Sequence, residues 1–408
     1  MKTDAQTRRR ADAHVARERD AHTHGPAYAQ VARVGPLALV LVLSVLAPGR
    51  LTAQQDSRIA EARDVIRRLV ESYGVSGHEG PVRETVIRLL PDWANPTIDS
   101  AGNVHVRVGR GAPLVVFVAH LDEIGFVVTA IRDDGQLELR RRGGFFTSLY
   151  EGEPALVHTA HGVVPAVFTP RDSVGPSPRR TPPVPLVGGR PDTAASGFRV
   201  DPGTGSHAGT DSLGIRVGDA ITMPKQYVSL AGNRATGRSF DDRVGCAAQI
   251  LALRRLDSRR LRHSVLFIFS TREEVGLEGA RFAAQRLGGE PIRVHALDTF
   301  VSSDAPLEIK TFANALVGRG AVARAVDNSS VTPPALVDSL AALARARRIP
   351  LQIGTTNGGN DGSTFTRFGV PDVAIGWPLR YSHSPAEVID LADLLALADL
   401  TRAIAEAW

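Results

Sequence analysis

Ser270-Thr271-Arg272-Glu273-Glu274-Val275-Gly276 follows directly on the apolar run Val265-Leu266-Phe267-Ile268-Phe269. A β-branched and aromatic run of this length predicts a buried strand. Two adjacent carboxylates at its end then need a partner, because unpaired buried charge is costly. A divalent metal supplies one, since one glutamate can ligate it while its neighbour stays free to move protons. Taken alone, a solvated acidic turn is the simpler reading of the pair. Its company along the chain changes that.

Other strands end in the same way. Leu114–Ala119 is a continuous apolar run, as expected of a strand buried on both faces, and it stops at His120-Leu121-Asp122. Asp298 follows the run 293–297, and His383, in Tyr381-Ser382-His383-Ser384-Pro385, comes shortly after 373–375. Asp241-Asp242-Arg243 opens a predicted helix over 241–256, a favourable place for a carboxylate. In open α/β sheets, ligands collect beyond the carboxyl ends of the strands. Each residue alone has a plain reading as a cap, a satisfied histidine or a surface acid. Four apolar strands each ending in His, Asp or Glu do not.

Between these motifs the texture changes twice. Helical periodicity marks 59–70 and about 81–90, then vanishes from Ile124 to about Arg238. Short β-like runs appear instead, at 125–131, 137–140, 155–158, 163–168 and 215–223, punctuated by glycine and proline. Seven prolines between Pro170 and Pro191 predict an extended surface loop. Helix and strand alternate again from Asp241, with helices expected near 280–287, 334–347 and 391–405 and strands near 293–297, 351–353 and 373–375. The fold class is therefore α/β, with a mixed, largely parallel central sheet. Residues 54–123 and 237–408 form that domain, and 124–236 a small all-β, barrel-like insertion.

Composition narrows the function. The 408 residues are 43% hydrophobic and 22% charged, as in globular proteins. The net charge of +5 is not a nucleic-acid signal, because residues 1–53 carry +4 of it and the body only +1. Arginine outnumbers lysine 45 to 3 with no arginine-rich block in the body. Cys246 is the single cysteine, so an intrachain disulfide is excluded. The apolar run Leu37–Ala47, preceded by Arg33 and followed by Pro48-Gly49 and Leu51-Thr52-Ala53-Gln54, has the order of a secretory signal. It predicts a targeting segment over 1–53, cleavage near Ala53/Gln54, a periplasmic or secreted protein, and no stable membrane span after processing.

The motifs together resemble the glutamyl aminopeptidase and TET aminopeptidase family of dinuclear metallopeptidases. The strings that carry the resemblance are Ala119-His-Leu-Asp-Glu-Ile-Gly125, Ser239-Phe-Asp-Asp-Arg-Val-Gly-Cys246 and Thr271-Arg-Glu-Glu-Val-Gly-Leu-Glu-Gly-Ala280. Ala296-Leu-Asp298 and Arg380-Tyr-Ser-His-Ser-Pro-Ala-Glu387 complete the set, and the likeness spans about 58–408. The extra domain lies before Asp241, as in this family, and not after the Glu pair as in related carboxypeptidases. The resemblance implies a three-layer α/β/α zinc-peptidase-like domain, with the β insert used in dimer contact.

Carried over residue by residue, it implies two divalent ions, most simply zinc, with cobalt or manganese also suiting the ligand set. His120 and His383 would each cap one ion, Asp241 would bridge both, and Glu274 and Asp298 would complete the spheres. The peptide bond from Asp241 to Asp242 would be cis. Asp122 would accept from the far nitrogen of His120 and fix its tautomer, and Glu273 would be the general base on the attacking water. Asp361, in Gly358-Gly359-Asn360-Asp361-Gly362, has Asn360 where the family has threonine; it is a candidate for the substrate's amino group or a loop-turn aspartate. His78, His105, His158, His161, His207, His263 and His295 match no motif.

The leading reading is a metal-dependent aminopeptidase acting on peptides, as a homodimer or larger homo-oligomer. Two others compete. Some family members carry an endoglucanase label, but glycan hydrolysis wants two carboxylates flanking an acetal oxygen, and a metal-caged set is poorly placed for that. An exported binding protein on a dead scaffold is the other, and the presence of all five ligands and the base argues against decay. The family is mostly cytosolic, which sits against the secretory pattern at the amino terminus.

Overall fold

The computed structural model describes residues 47–170, 186–187, 190–191, 198–305 and 314–407. Ala53–Trp408 forms a compact unit and carries every residue of the site. Helix α1 (Ala47–Val70) buries Ile59, Ala62, Val65, Ile66, Leu69 and Val70, one face at helical spacing. Helix α2 (Gly80–Leu89) starts with proline in its first turn, where the missing N–H is not needed. Strands β1 (Thr97–Ile98), β2 (Val104–Val108) and β3 (Leu114–His120) follow.

All seven residues of β3 are buried, and its side chains alternate between two cores. Val115, Phe117 and Ala119 pack with α1 and α2, whereas Leu114, Val116 and Val118 face the opposite layer.

The insertion holds β4 (Gly125–Ile131), β5 (Leu137–Arg142), β6 (Pro154–Thr159), β7 (Gly162–Phe168), the short pair β8 (Leu186–Val187) and β9 (Arg190–Pro191), β10 (Val200–Asp201), helix α3 (His207–Ser212) and β11 (Ala220–Thr222). Six of its strands close a barrel in the order β10-β5-β4-β11-β6-β7. Phe126 centres the barrel core, with the rings of Phe145, Tyr150, Phe168 and Phe198 all within 5.5 Å of its own.

The chain then returns through β12 (Val228–Ser229), β13 (Arg234–Gly237), α4 (Phe240–Arg255), β14 (Ser264–Ser270), α5 (Glu278–Leu287) and β15 (Pro291–Val301). It finishes with β16 (Ala321–Val326), α6 (Pro334–Arg347), β17 (Leu351–Thr355), β18 (Ile375–Leu379), β19 (Glu387–Asp390) and α7 (Leu391–Ala407). The main sheet has eight strands in the order β1-β2-β14-β3-β15-β18-β16-β17. Its centre is parallel, β14 to β3 to β15 to β18, while β2 and β16 run antiparallel to their inner neighbours. Helices α1, α2, α4, α6 and α7 cover one face, and α5 with Phe365 covers the other. This is a three-layer α/β/α domain with a mixed sheet. Because β3, β14, β15 and β18 are parallel, their carboxyl ends meet at one rim.

Several local expectations shift. The strand read at 373–375 is β18, displaced to 375–379 because Gly376 and Pro378 look like breakers. Gly376 is required there, since a Cβ would collide with the Asp298 carbonyl on the neighbouring strand. Of the run 215–223 only 220–222 is strand; the remainder is a turn through Gly218, and α3 is a helix where none was expected. Pro48-Gly49, read as the breaker after a signal, lies in the first turn of α1, which runs unbroken past the expected cut at Ala53/Gln54. The apolar run 37–46 and the proline-rich stretch apart from 170, 186–187 and 190–191 lie outside the described residues. Among the described residues no helix is long and apolar enough to cross a membrane.

One unmatched histidine becomes a pH sensor of stability. His295 is fully buried on β15, stacked on Phe117 at 5.2 Å, with Nδ1–H donating to the Val373 carbonyl at 2.9 Å. Burial pulls it from 6.5 down to about 3. Between these values the unfolded chain binds the extra proton, so stability is full above pH 6.5 and is lost as pH falls toward 3. Acid unfolding of wild type should therefore steepen relative to His295→Asn by up to about 1.4 kcal/mol per pH unit in this window, measured as denaturant midpoints; parallel curves would refute it.

Candidate metal centre

The rim at the carboxyl ends of the parallel strands gathers the residues singled out above. His120 is the last residue of β3, Asp241 and Asp242 open α4, Glu273 and Glu274 follow β14, Asp298 lies within β15, and His383 is in the loop before β19. His120, Asp122, Asp241, Asp298 and Asp361 are all buried. The glutamates expose 13% and 4% of their side chains, and His383 is the most open at 32%.

Asp241 stands between the two imidazoles. Its Oδ1 lies 3.2 Å from His120 Nε2, and its Oδ2 lies 3.4 Å from His383 Nε2. His383 Nε2 is also 3.4 Å from Glu274 Oε1. Two sets of ligand atoms, His120–Asp241–Asp298 and Asp241–Glu274–His383, each converge within 4.8 Å, and Asp241 belongs to both. The peptide bond from Asp241 to Asp242 is cis.

The tautomers are fixed from behind. His383 Nδ1–H donates to the Gly144 carbonyl of the barrel at 2.7 Å, and His120 Nδ1–H to the Asp122 carbonyl at 3.2 Å. In the neutral form of each ring this makes Nε2, the nitrogen facing Asp241, the one without a proton. Glu274 Oε1 is buried and has no hydrogen-bond partner among the described residues. Electron pairs from two imidazoles and several carboxylates thus point at the same space. Such a donor set, nitrogen and oxygen without thiolate, fits divalent metal ions.

Asp122 does more than expected. Its Oδ1 is 3.5 Å from His120 Nδ1, longer than the contact made by its own carbonyl. The carboxylate mainly holds the glutamate loop, accepting from Glu273 N at 2.9 Å, Glu274 N at 3.2 Å and Ser76 Oγ at 2.6 Å. Asp361 opens a short 3-10 helix; its Oδ2 accepts from Ser270 Oγ, and its Oδ1 has no partner among the described residues. Asn360 accepts from Gly362 N and donates to Asp327, so it fixes the turn that presents Asp361.

Asp242 and Arg324 make contacts at the site that the sequence did not foretell. Asp242 accepts from His120 N at 2.8 Å and from Gly245 N at 2.9 Å, tying β3 to α4. Arg324 on β16 pairs with Asp298 at 3.1 Å and Asp327 at 3.0 Å. A lone arginine in a strand not anticipated from the sequence left no signal for it. The electrostatics follow from crowding. Burial pushes Asp298 up to about 7 against the pull of Arg324. Burial also raises Glu273 well above the carboxylate range, with His120 opposing and Asp298 and Glu274 adding to the rise. Burial works against protonated His120, yet Glu273, Asp122 and Asp241 outweigh it and hold the ring well above 6.5.

The chain is similar to known proteins in sequence and in fold. The family model for M42 glutamyl aminopeptidases matches residues 102–400. The glutamyl aminopeptidase of Lactococcus lactis is 28% identical over 357 residues, covering 84% of this chain and 96% of its own. The lysyl aminopeptidase of Pyrococcus furiosus is 28% identical over 349 residues, with 84% and 96% covered. The TET1 peptidase of Pyrococcus horikoshii, which can assemble into a tetrahedron or a large octahedral shell, superposes with a TM-score of 0.75 at 31% identity, over 85% of this chain and all of its own. These relatives correct the signal-peptide and exported reading of residues 1–53, because that family is mostly cytosolic; the reading is withdrawn. With well over half of its length matched by the family model and its rim residues gathered as described, the chain belongs to the M42 glutamyl aminopeptidase family, whose members are metal-dependent aminopeptidases.

Proposed function

We propose that this chain removes amino-terminal residues from peptides using two divalent ions, one held by His120, Asp241 and Asp298 and the other by Asp241, Glu274 and His383. The observation that carries the proposal is the placement of Asp241, with each carboxylate oxygen opposite a different imidazole Nε2. Bound there, the ions would polarise the scissile carbonyl and acidify an attacking water. Glu273 takes the proton from that water and returns it to the departing amine. Asp122 holds the Glu273 backbone at 2.9 Å, and Glu273 Oε2 lies 3.8 Å from His120 Nε2, so its carboxyl group is positioned at the edge of the centre for that transfer. Asp361, with one buried oxygen unpartnered, suits the substrate's cationic amino group.

Glycan hydrolysis is not favoured. Asp241, Asp298 and Glu274 converge with the two imidazoles in sets within 4.8 Å, a grouping suited to holding cations and not to flanking an acetal oxygen. The purified protein should turn over aminoacyl-nitroanilides and leave carboxymethylcellulose intact. Metal analysis should give two ions per chain, and chelation should abolish activity until zinc or cobalt is returned. A fully active enzyme holding a single ion would overturn the two-ion reading.

The barrel is proposed as a dimer contact, supported by the assembly of the TET1 relative and by Val163 and Val167, 51% and 44% exposed on β7. Light scattering should report a dimer or larger species; a monomer at assay concentration would sink this part.

The adjacent glutamates separate the roles. Glu273→Gln should keep both metals while kcat falls by roughly 10²–10⁴, the usual contribution of a general base, with KM nearly unchanged. Glu274→Gln should weaken one metal site and recover partly in excess metal. The reverse pattern would mean that base and ligand are exchanged.

A further inference from the structure

Glu387 is the first residue of β19, only 2% exposed, and it has no part in the roles assigned so far. Its Oε2 accepts from Phe240 N at 2.7 Å and from Asp241 N at 3.4 Å. Its Oε1 accepts from His383 N at 3.0 Å. One carboxylate therefore grips the backbone of two segments separated by more than 140 positions in the chain. Each segment carries one member of the Asp241–His383 pair. The partners are main-chain N–H groups, so the contact fixes the position of the backbone itself.

The surroundings show why a grip is needed. Ser239, two residues before Asp241, has φ +66°, and Tyr381 and His383 have φ +61° and +59°. Non-glycine residues are held in this region only where neighbouring structure over-determines them. The 381–387 loop is closed at its base by the paired hydrogen bonds between Arg380 and Val388, both 3.1 Å. β19 pairs antiparallel with β13, placing Gly237 opposite Glu387, and β13 leads directly into the Asp241 segment. A glutamate meant only to cap a strand end would satisfy one loop. This one spans both.

We propose that Glu387 is a positioning residue that sets the distance between Asp241 and His383 by binding both of their backbones, so that the centre is preformed before any metal arrives. The inference rests on the ligand roles proposed above, but amide exchange in the metal-free protein reads it independently of them. Hydrogen–deuterium exchange should be measured on full-length, metal-free wild type, Glu387→Gln and Glu387→Ala, resolved to residues 237–243 and 380–388. The amides of Phe240 and His383 should exchange about ten- to a hundredfold faster together in Glu387→Ala. Glu387→Gln should lie in between, because its single oxygen can serve only one of the two loops. Cobalt titration followed by visible absorption should show affinity falling about ten- to a hundredfold, and kcat should fall more than KM rises.

Two results would overturn the proposal: both segments staying protected with cobalt binding unchanged, or exchange rising uniformly over the whole protein. If the alanine variant does not fold, the glutamine variant decides by the same criteria. A wild-type protein that takes up no cobalt would sink the ligand roles, while paired loss of protection in the variants would still uphold the grip of Glu387.

Discussion

The structure depends on holding a crowd of carboxylates at one buried rim. Asp122, Asp241, Asp242, Asp298, Asp361 and Glu387 are each no more than 6% exposed, and Glu273 and Glu274 lie beside them. Arg324 and the imidazoles of His120 and His383 are in contact with this group. Acidic groups taken out of water must be paired, hydrogen-bonded or protonated. Each of these routes is in use: Asp122 and Glu387 are satisfied by backbone N–H groups, Asp298 by Arg324, and Glu273 by being driven toward its protonated form. The oxygens left over are those of Asp241 and Glu274 that face His120 and His383, together with Oδ1 of Asp361. That remainder, more than any single residue, is what asks for metal.

A second buried charge cluster holds the frame around the first. Glu123, next to Asp122, is fully buried and takes Lys225 at 2.9 Å, Arg238 at 3.1 Å and Arg243 at 3.4 Å. Burial alone would raise its carboxyl; the three cations reverse this and hold it far below the usual range. Lys225 lies on the path leaving the barrel, Arg238 just before the Asp241 segment and Arg243 on α4, so one carboxylate joins the insertion to both sides of the Asp241 segment. Removing Glu123 would leave three buried cations without their shared carboxylate, which costs far more than an intact pair gains.

How much of this was legible follows from the kind of signal each part leaves. The runs that became β3 and β14 could be read because strands buried on both faces are continuously apolar, and each ends in a ligand-type residue. β16 was missed because Ala321-Val322-Ala323-Arg324 contains a charge whose partners, Asp298 and Asp327, lie on other elements. The start of α1 was hidden because an apolar run ending at Pro-Gly looks the same before a cut as before a helix. At the rim, residue types and order gave the gathered set, whereas the contacts of Asp122 with the Glu273–Glu274 backbone and the grip of Glu387 are made to main-chain atoms. Main-chain partners leave no residue pattern to read.

The barrel illustrates the same limit and has a consequence for chemistry. Read along the sequence, residues 124–236 interrupt a catalytic domain and look separable from it. In space, Gly144 of that insertion accepts the Nδ1 proton of His383 at 2.7 Å, and Arg142 donates to the Ser76 carbonyl at 3.3 Å while Ser76 Oγ holds Asp122 at 2.6 Å. The most exposed imidazole of the centre thus takes its tautomer from a backbone carbonyl of the inserted domain. Because a ring nitrogen can ligate only through a free lone pair, the insertion takes part in deciding which nitrogen of His383 is available. An interruption in the sequence is therefore a participant in the site, coupled to it in part through a hydrogen bond whose donor lies 239 residues along the chain from its acceptor.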